Sequence, residues 1–224
     1  VTSFPEELTT RYEREFERIR PDVHVQFVWK QSRDALAELT KPEQGGADIY
    51  WAPSPSNFAL LRDRGAFRSL SVDRAALPGR LGAQQLSDPT GLYEAYDVAG
   101  YGIAANSGAL AAAGLSAPRR WRDLASPEYA RRLAMPIAGK VGFSPALYDI
   151  LLQSEGWTEG WRLLGEMAGE ATLLDSGSGP TASVREGKAA LALTIDFIAE
   201  IARANGAPVE MIYPEGAAFL PAHV

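Results

Sequence analysis

Ala47-Asp48-Ile49-Tyr50-Trp51, followed at once by Ser54-Pro55-Ser56 and the apolar positions Phe58, Leu60 and Leu61, is the stretch whose reading decides the fold. Five residues rich in apolar and aromatic side chains follow the Gly45-Gly46 break, so they read as a short strand. The serine-proline opening behind them reads as the start of a helix. The same unit occurs twice upstream. Val1 to Phe4 reads as a strand end entering a helix in which Leu8, Tyr12, Phe16 and Ile19 recur at helical spacing, with Ser3 as its N-cap and Pro5 in its first turn. Val23, Val25, Phe27 and Trp29 then alternate as a half-buried strand, and Ser32 to Thr40 forms a second helix with Leu36 and Leu39 inward. Strand and helix in regular alternation predict an α/β fold with a parallel sheet, because a parallel neighbour is reached only through a long crossover.

Downstream, Tyr93 to Ala105 is rich in Tyr, Val, Ile and Gly and is expected to hold two extended segments, with Gly100 and Gly102 marking a close backbone approach. The alternation then resumes. Helices are expected near Ser107 to Ala113, around Trp121 and Tyr129, from Ser144 to Ser154, around Trp157 to Leu164, from Thr181 and from Phe197 to Ala204; strands are expected at Leu133 to Met135, Ala171 to Leu174, Ala189 to Thr194 and Val209 to Tyr213. The pattern divides into two α/β lobes: 1–102, to which 214–224 returns, and 103–213. Trp157 and Trp161, one helical turn apart, read as core packing. With no initiator Met and an apolar run at Phe219 to Val224, flanking segments, including any export signal, are expected beyond the given sequence.

Composition narrows the function classes. The 224 residues carry 22 Lys+Arg against 28 Asp+Glu, a formal charge of −6, with no dense basic run, which argues against nucleic acid as a partner. There is no cysteine and only two histidines, so thiol chemistry is excluded and a transition-metal catalytic centre is disfavoured. Gly142-Phe143-Ser144-Pro145-Ala146 only half matches a nucleophile elbow, and a triad would need His24, in a strand pattern, or His223. The expectation is therefore a non-enzyme without cofactor.

Small hydroxyl residues fall where strands or loops meet helices: Ser3, Ser54 with Ser56, Ser144, and Ser176 with Ser178 and Thr181. Unpaired backbone N–H groups and the positive helix end favour an anion there, and a hydroxyl adds a donor. Ordinary N-capping is the competing role at each position. In Asp175-Ser176-Gly177-Ser178-Gly179-Pro180-Thr181, two glycines let the backbone approach a ligand. The Lys-Ser/Thr ending of a nucleotide P-loop is missing, which argues against ATP hydrolysis. Lys30, after a strand, and Lys140, before Gly142, would supply positive charge to a phosphate or carboxylate, or else are simply solvated. Asp196, at a strand end, either accepts from a ligand amine or hydroxyl or caps the next helix.

Five segments in order carry a resemblance. Ala47-Asp48-Ile49-Tyr50-Trp51, Gly102-Ile103-Ala104-Ala105-Asn106, Trp121-Arg122-Asp123-Leu124 with Pro127, Tyr129 and Met135-Pro136, Arg185-Glu186-Gly187-Lys188-Ala189-Ala190, and Tyr213-Pro214-Glu215-Gly216 resemble the two-lobed solute-binding proteins of ABC importers, in the branch with iron(III)-, phosphonate- and phosphoglycerate-related members. The resemblance implies a type II periplasmic binding fold with a hinge, a periplasmic or lipid-tethered receptor, and delivery of a solute to a membrane permease. By position it places ligand loops on Ser3, Ser54 to Ser56, Ser144, Ser176 to Ser178 and Asp196. Two departures stand out: the adjacent tyrosines of the iron-binding members are absent, Tyr213 standing alone, and the helices that relatives add after the return strand lie beyond Val224. The expectation is a monomer that closes on a small anionic solute such as a phosphonate, phosphoester or carboxylate. A sensing receptor, a ferric-iron binder and a transferase on the same scaffold are the alternatives.

Overall fold

The computed structural model describes residues 1–73, 75, 77–81 and 84–224. They divide into two compact units, Val1–Val98 with Pro221–Val224, and Ala99–Leu220.

In the first unit, Thr2 bridges in parallel to Trp29 on one side and Trp51 on the other, and Ala52 pairs antiparallel with His223. Val224 and Glu94 exchange both backbone bonds, at 2.9 and 3.0 Å, and so extend the row. The parallel arrangement inferred from the repeated strand–helix pattern is thus realised, although regular pairing is short. Val23, Val25 and Phe27 are half-buried between exposed neighbours, and only Trp29 enters a bridge. The crossovers are α1 (Glu6–Ile19), α2 (Ser32–Leu39) and α3 (Pro55–Asp63). Pro55 opens α3, where a missing N–H leaves nothing unsatisfied. Helix α1 is capped by Pro5 rather than by Ser3, and the Pro5 carbonyl accepts from Leu8 and Thr9. Strands β1 (Arg80–Leu81) and β2 (Gln84–Gln85) form a small antiparallel ladder.

Alternation sends Tyr50 and Trp51 to opposite faces. The Tyr50 ring stacks 4.7 Å from Phe58, which also meets Phe67 at 5.6 Å. Trp51 instead packs among Phe4, Tyr12, Phe27 and Tyr96.

The second unit holds a six-stranded sheet. Its elements in chain order are β3 (Ala95–Ala105), α4 (Ser107–Ala112), α5 (Pro127–Ala130), β4 (Leu133–Pro136), α6 (Ser144–Glu155), α7 (Trp157–Glu170), β5 (Thr172–Leu174), α8 (Gly179–Arg185), β6 (Leu191–Ile195), α9 (Asp196–Ala204), β7 (Glu210–Ile212) and β8 (Phe219–His223). The order is β5-β4-β6-β3-β7, with β8 on β3. Strands β4, β5 and β6 are parallel, whereas β3 runs antiparallel to β6 and β7, so the sheet is mixed. Asn106 caps α4 by accepting from the Ala109 N–H at 3.0 Å.

Two expectations are corrected. Tyr93 to Ala105 holds one long strand, β3, which starts in the first unit and ends in the second. Trp157 and Trp161 are not core residues: they stand 68% and 52% exposed on α7, whose buried face is Gly160, Leu163, Leu164 and Met167. The spacing was helical, but the stripe turned inward is the one beside the tryptophans. Gly102 lies where a Cβ would collide with the Ile212 carbonyl, which is the close approach its sequence position suggested.

Candidate functional site

Because Thr2 lies between Trp29 and Trp51 in a parallel row, the chain leaves three adjacent strand ends at Ser3, Lys30 and Ala52–Ser54. In an open α/β sheet this carboxyl edge is where ligands gather. The Ser54 side chain is buried and does not cap α3; its Oγ lies 2.8 Å from Oγ of Ser32, the first residue of α2. Asn57 ties the pair together by donating to the Ser32 carbonyl and to the Tyr50 hydroxyl, both at 2.9 Å. Burial raises the Tyr50 pKa, and bonds from Asn57 and Ser54 oppose that shift. The starts of α2 and α3 are thereby locked side by side. The Ser3 hydroxyl is buried without a hydrogen-bond partner. Lys30 is half-buried, with its ammonium 3.5 Å from Glu38, which Lys41 also contacts at 2.9 Å, so its charge is largely answered within the unit. Ser56 is exposed one residue into α3.

In the second unit the parallel strands β4, β5 and β6 release their chains at one edge, into 137–143, 175–178 and α9 respectively. The Ile137 N–H donates to the Leu174 carbonyl at 2.7 Å, which joins the first two loops at their root. A Cβ on Gly177 would touch Phe143 and Val141, at 3.4 and 3.7 Å, so the serine-glycine loop rests directly on the loop that carries Lys140. Lys140 is exposed and forms no ion pair among the described residues. Ser176 and Ser178 are exposed as well; the Ser178 carbonyl, not its hydroxyl, accepts from the α8 backbone at Ala182. Two abutting loops thus carry exposed hydroxyls, a glycine backbone and a lysine, which are groups of the kind that donate to anions.

Two sequence-selected hydroxyls point elsewhere. Ser144 is fully buried and donates to the Val141 carbonyl at 2.7 Å, closing the turn before α6. Thr181 is buried against Thr194, with their hydroxyl oxygens 2.9 Å apart. Both are amphipathic residues at helix starts, which sequence spacing cannot distinguish from ligand contacts. Asp196 opens α9, and its Oδ2 accepts from the Gly100 N–H at 2.6 Å and from the Tyr213 hydroxyl at 3.2 Å. Burial, then the Asp196 charge, pushes Tyr213 up to about 12, so its phenol stays a donor. Sequence reading missed Ser32, Asn57 and Thr194 as members of these networks. The Ser32 position at a helix start was a readable signal; Thr194, inside a buried strand, gave none. Among the described residues no group of three or more His, Asp or Glu side chains is placed to hold a metal ion, and no helix is long and apolar enough to cross a membrane.

The profile of the bacterial extracellular solute-binding protein family matches residues 48–223. The chain belongs to that family. This solute-binding protein is 31% identical over 105 residues, 46% of its length, to the phosphoglycerate transport regulatory protein PgtC of Salmonella typhimurium, and the match spans about a quarter (26%) of that relative. Among solved structures, the periplasmic binding protein AfuA from Actinobacillus pleuropneumoniae, with exogenous fructose-6-phosphate bound, superposes with a TM-score of 0.81 at 18% identity, over 99% of this chain and 70% of the other. Iron-bound HitA from Pseudomonas aeruginosa gives 0.79 at 12% identity, over 99% and 72%. A two-component system protein that mediates signal transduction gives 0.70 at 15% identity, over 100% and 72%. The α/β fold is that of the two-lobed periplasmic binding proteins, and the family, AfuA and HitA are binding proteins rather than enzymes.

Proposed function

We propose that this protein is the substrate-binding component of an ABC importer, working in the periplasm and capturing a small anionic solute, a phosphonate, phosphoester or carboxylate, for a membrane permease. The observation that carries the reading is the pair of abutting loops in the second unit, where Gly177, between the exposed Ser176 and Ser178, lies against the loop of Lys140, a lysine with no ion pair among the described residues. Such a set offers hydroxyl and peptide donors plus one mobile charge, which suits a tetrahedral or planar anion better than a cation. Asp196 supplies an acceptor at the next strand end, so a solute with an anionic head and a hydroxyl or ammonium tail fits the donors and acceptor together. The relatives named for phosphoglycerate transport and seen with fructose-6-phosphate support the phosphoester member of the class. The two units act as lobes that close on the solute, with β3 and β8 as the crossings between them, and the working form is a monomer.

Isothermal titration with inorganic phosphate, a phosphonate, a sugar phosphate and a dicarboxylate tests the reading. Saturable binding of at least one anion, weakened by Lys140→Ala, is expected; a folded protein silent to all of them, or binding untouched by Lys140→Ala, overturns it. A second reading, a receptor whose liganded form is read by a membrane sensor, is favoured by the regulatory relative and by the signal-transduction neighbour. Co-purification of a sensor rather than a permease from membranes would select it.

A further inference from the structure

Asp196 occupies a position that neither solute contact nor helix capping explains by itself. Strand β3 pairs with β6 from Tyr101 opposite Ile195 to Ala105 opposite Leu191. One step further along the same register, Gly100 faces Asp196, but there β6 has ended and α9 begun, so no strand backbone is left to accept the Gly100 N–H. The Asp196 carboxylate takes over that rung at 2.6 Å. The same Oδ2 accepts from the Tyr213 hydroxyl, and the Tyr213 ring packs 5.0 Å from the Phe219 ring, in β8. Gly100 is hemmed in at this point: a Cβ would lie 2.5 Å from Tyr213, 2.7 Å from Phe219 and 2.9 Å from the carboxylate. The Tyr101 N–H, bonded to the Ala218 carbonyl at 3.1 Å, adds the adjoining backbone tie between the two strands.

We infer that Asp196 is a positioning residue that fastens both strands passing between the units, β3 through the Gly100 amide and β8 through Tyr213 and Phe219, to a single point of the second unit. The passage points lie just outside this clamp, at Val98–Ala99 and Leu220–Pro221. Pro221 has no N–H to donate, so β8 lacks one backbone donor just past the clamp, although the strand itself runs on to His223. A solute group that engages Asp196 therefore acts on both crossings at once. The functional side of this inference rests on the proposal that the units close around a solute; the clamp itself does not.

Hydrogen exchange resolved to single amides, on the full chain without solute, tests it. Asp196→Ala is expected to speed exchange at Gly100 and at Phe219 and Leu220 by about tenfold or more, with amides of β4 unchanged. Asp196→Asn, which keeps an acceptor oxygen, restores most of the protection, and Tyr213→Phe speeds only the β8 amides. Unchanged exchange at Gly100 in Asp196→Ala, or acceleration spread evenly over the second unit, overturns the inference. Should Asp196→Ala fail to fold, Tyr213→Phe decides alone, because that ring is 43% exposed and loses only its hydroxyl: no local change at Phe219 and Leu220 counts against the clamp. Failure of every solute titration would leave the exchange result standing, so the two proposals fail separately.

Discussion

Replacing Thr181 by Val probes the buried hydroxyl pair that joins α8 to β6. Thr181 and Thr194 are 1% and 0% exposed, and their Oγ1 atoms lie 2.9 Å apart. Among the described residues the Thr194 hydroxyl has one other hydrogen-bond partner, the Ile195 carbonyl, to which it donates at 3.4 Å, at the edge of hydrogen-bonding range. Valine keeps the shape of threonine, so Thr181→Val opens no cavity and chiefly strands the Thr194 hydroxyl in an apolar interior. A buried polar group left without a partner costs about 1–3 kcal/mol, and the weak remaining contact argues for the lower half of that range, about 1–2 kcal/mol. Thr194→Val is expected to cost a similar amount for the converse reason. The double variant removes both partners and should lose about 1 kcal/mol or less, giving a coupling of roughly 1–2 kcal/mol. Urea denaturation of the four proteins, followed by tryptophan fluorescence and fitted with a common slope, measures it. A double variant whose loss equals the sum of the two singles would refute the reasoning. A loss of solute affinity in Thr181→Val at unchanged stability would show that this hydroxyl serves the ligand.

Burial among Phe58 and Tyr93 lowers the His223 pKa to about 4, against an unfolded value of 6.5. The unfolded chain therefore binds the proton more readily, and the stability that depends on neutral His223 is complete above pH 6.5 and drains away as pH falls towards 4. Between pH 7.5 and pH 5 the protein is expected to lose roughly 2 kcal/mol more than His223→Phe, as read by denaturation at both pH values; equal losses would reject the assignment. Gly102→Ala forces a methyl onto the Ile212 carbonyl and is expected to cost about 1–3 kcal/mol, visible as a lowered melting temperature. Lys140→Ala should weaken anion binding by roughly tenfold, about 1.4 kcal/mol, at unchanged melting temperature, in the same calorimetric titration. Trp157→Ser with Trp161→Ser should stay within about 0.5 kcal/mol per site of the parent, since both rings are largely exposed; a loss of several kcal/mol would place them in a packed interface.

Local signals carried the element order well. Proline after serine opened α3 at Pro55, Asn106 capped α4, and the alternation of strands with helices led to parallel pairing in both units. Each of these depends on a few neighbouring residues, so each is legible in the chain. The errors have another origin. Trp157 and Trp161 obeyed helical spacing, but periodicity gives a stripe without saying which stripe meets the sheet, and Leu163, Leu164 and Met167 took the core. Tyr93 to Ala105 was expected to divide, but Gly100 and Gly102 admit close neighbours within an extended chain and make no turn there, so Ala95 to Ala105 runs as one strand.

The candidate site divides in the same way. The sequence alone determined that hydroxyls, glycines and two lysines would collect where strands release into helices, because those junctions leave donors that need an acceptor. Only the tertiary structure decided the fate of each side chain: Ser144 and Thr181 turned inward, Lys30 was answered by Glu38, and Lys140 with Ser176 and Ser178 stayed outside. A hydroxyl has the same local chemistry in either role, and which one it adopts depends on acceptors distant in sequence that reach it only when the chain has folded.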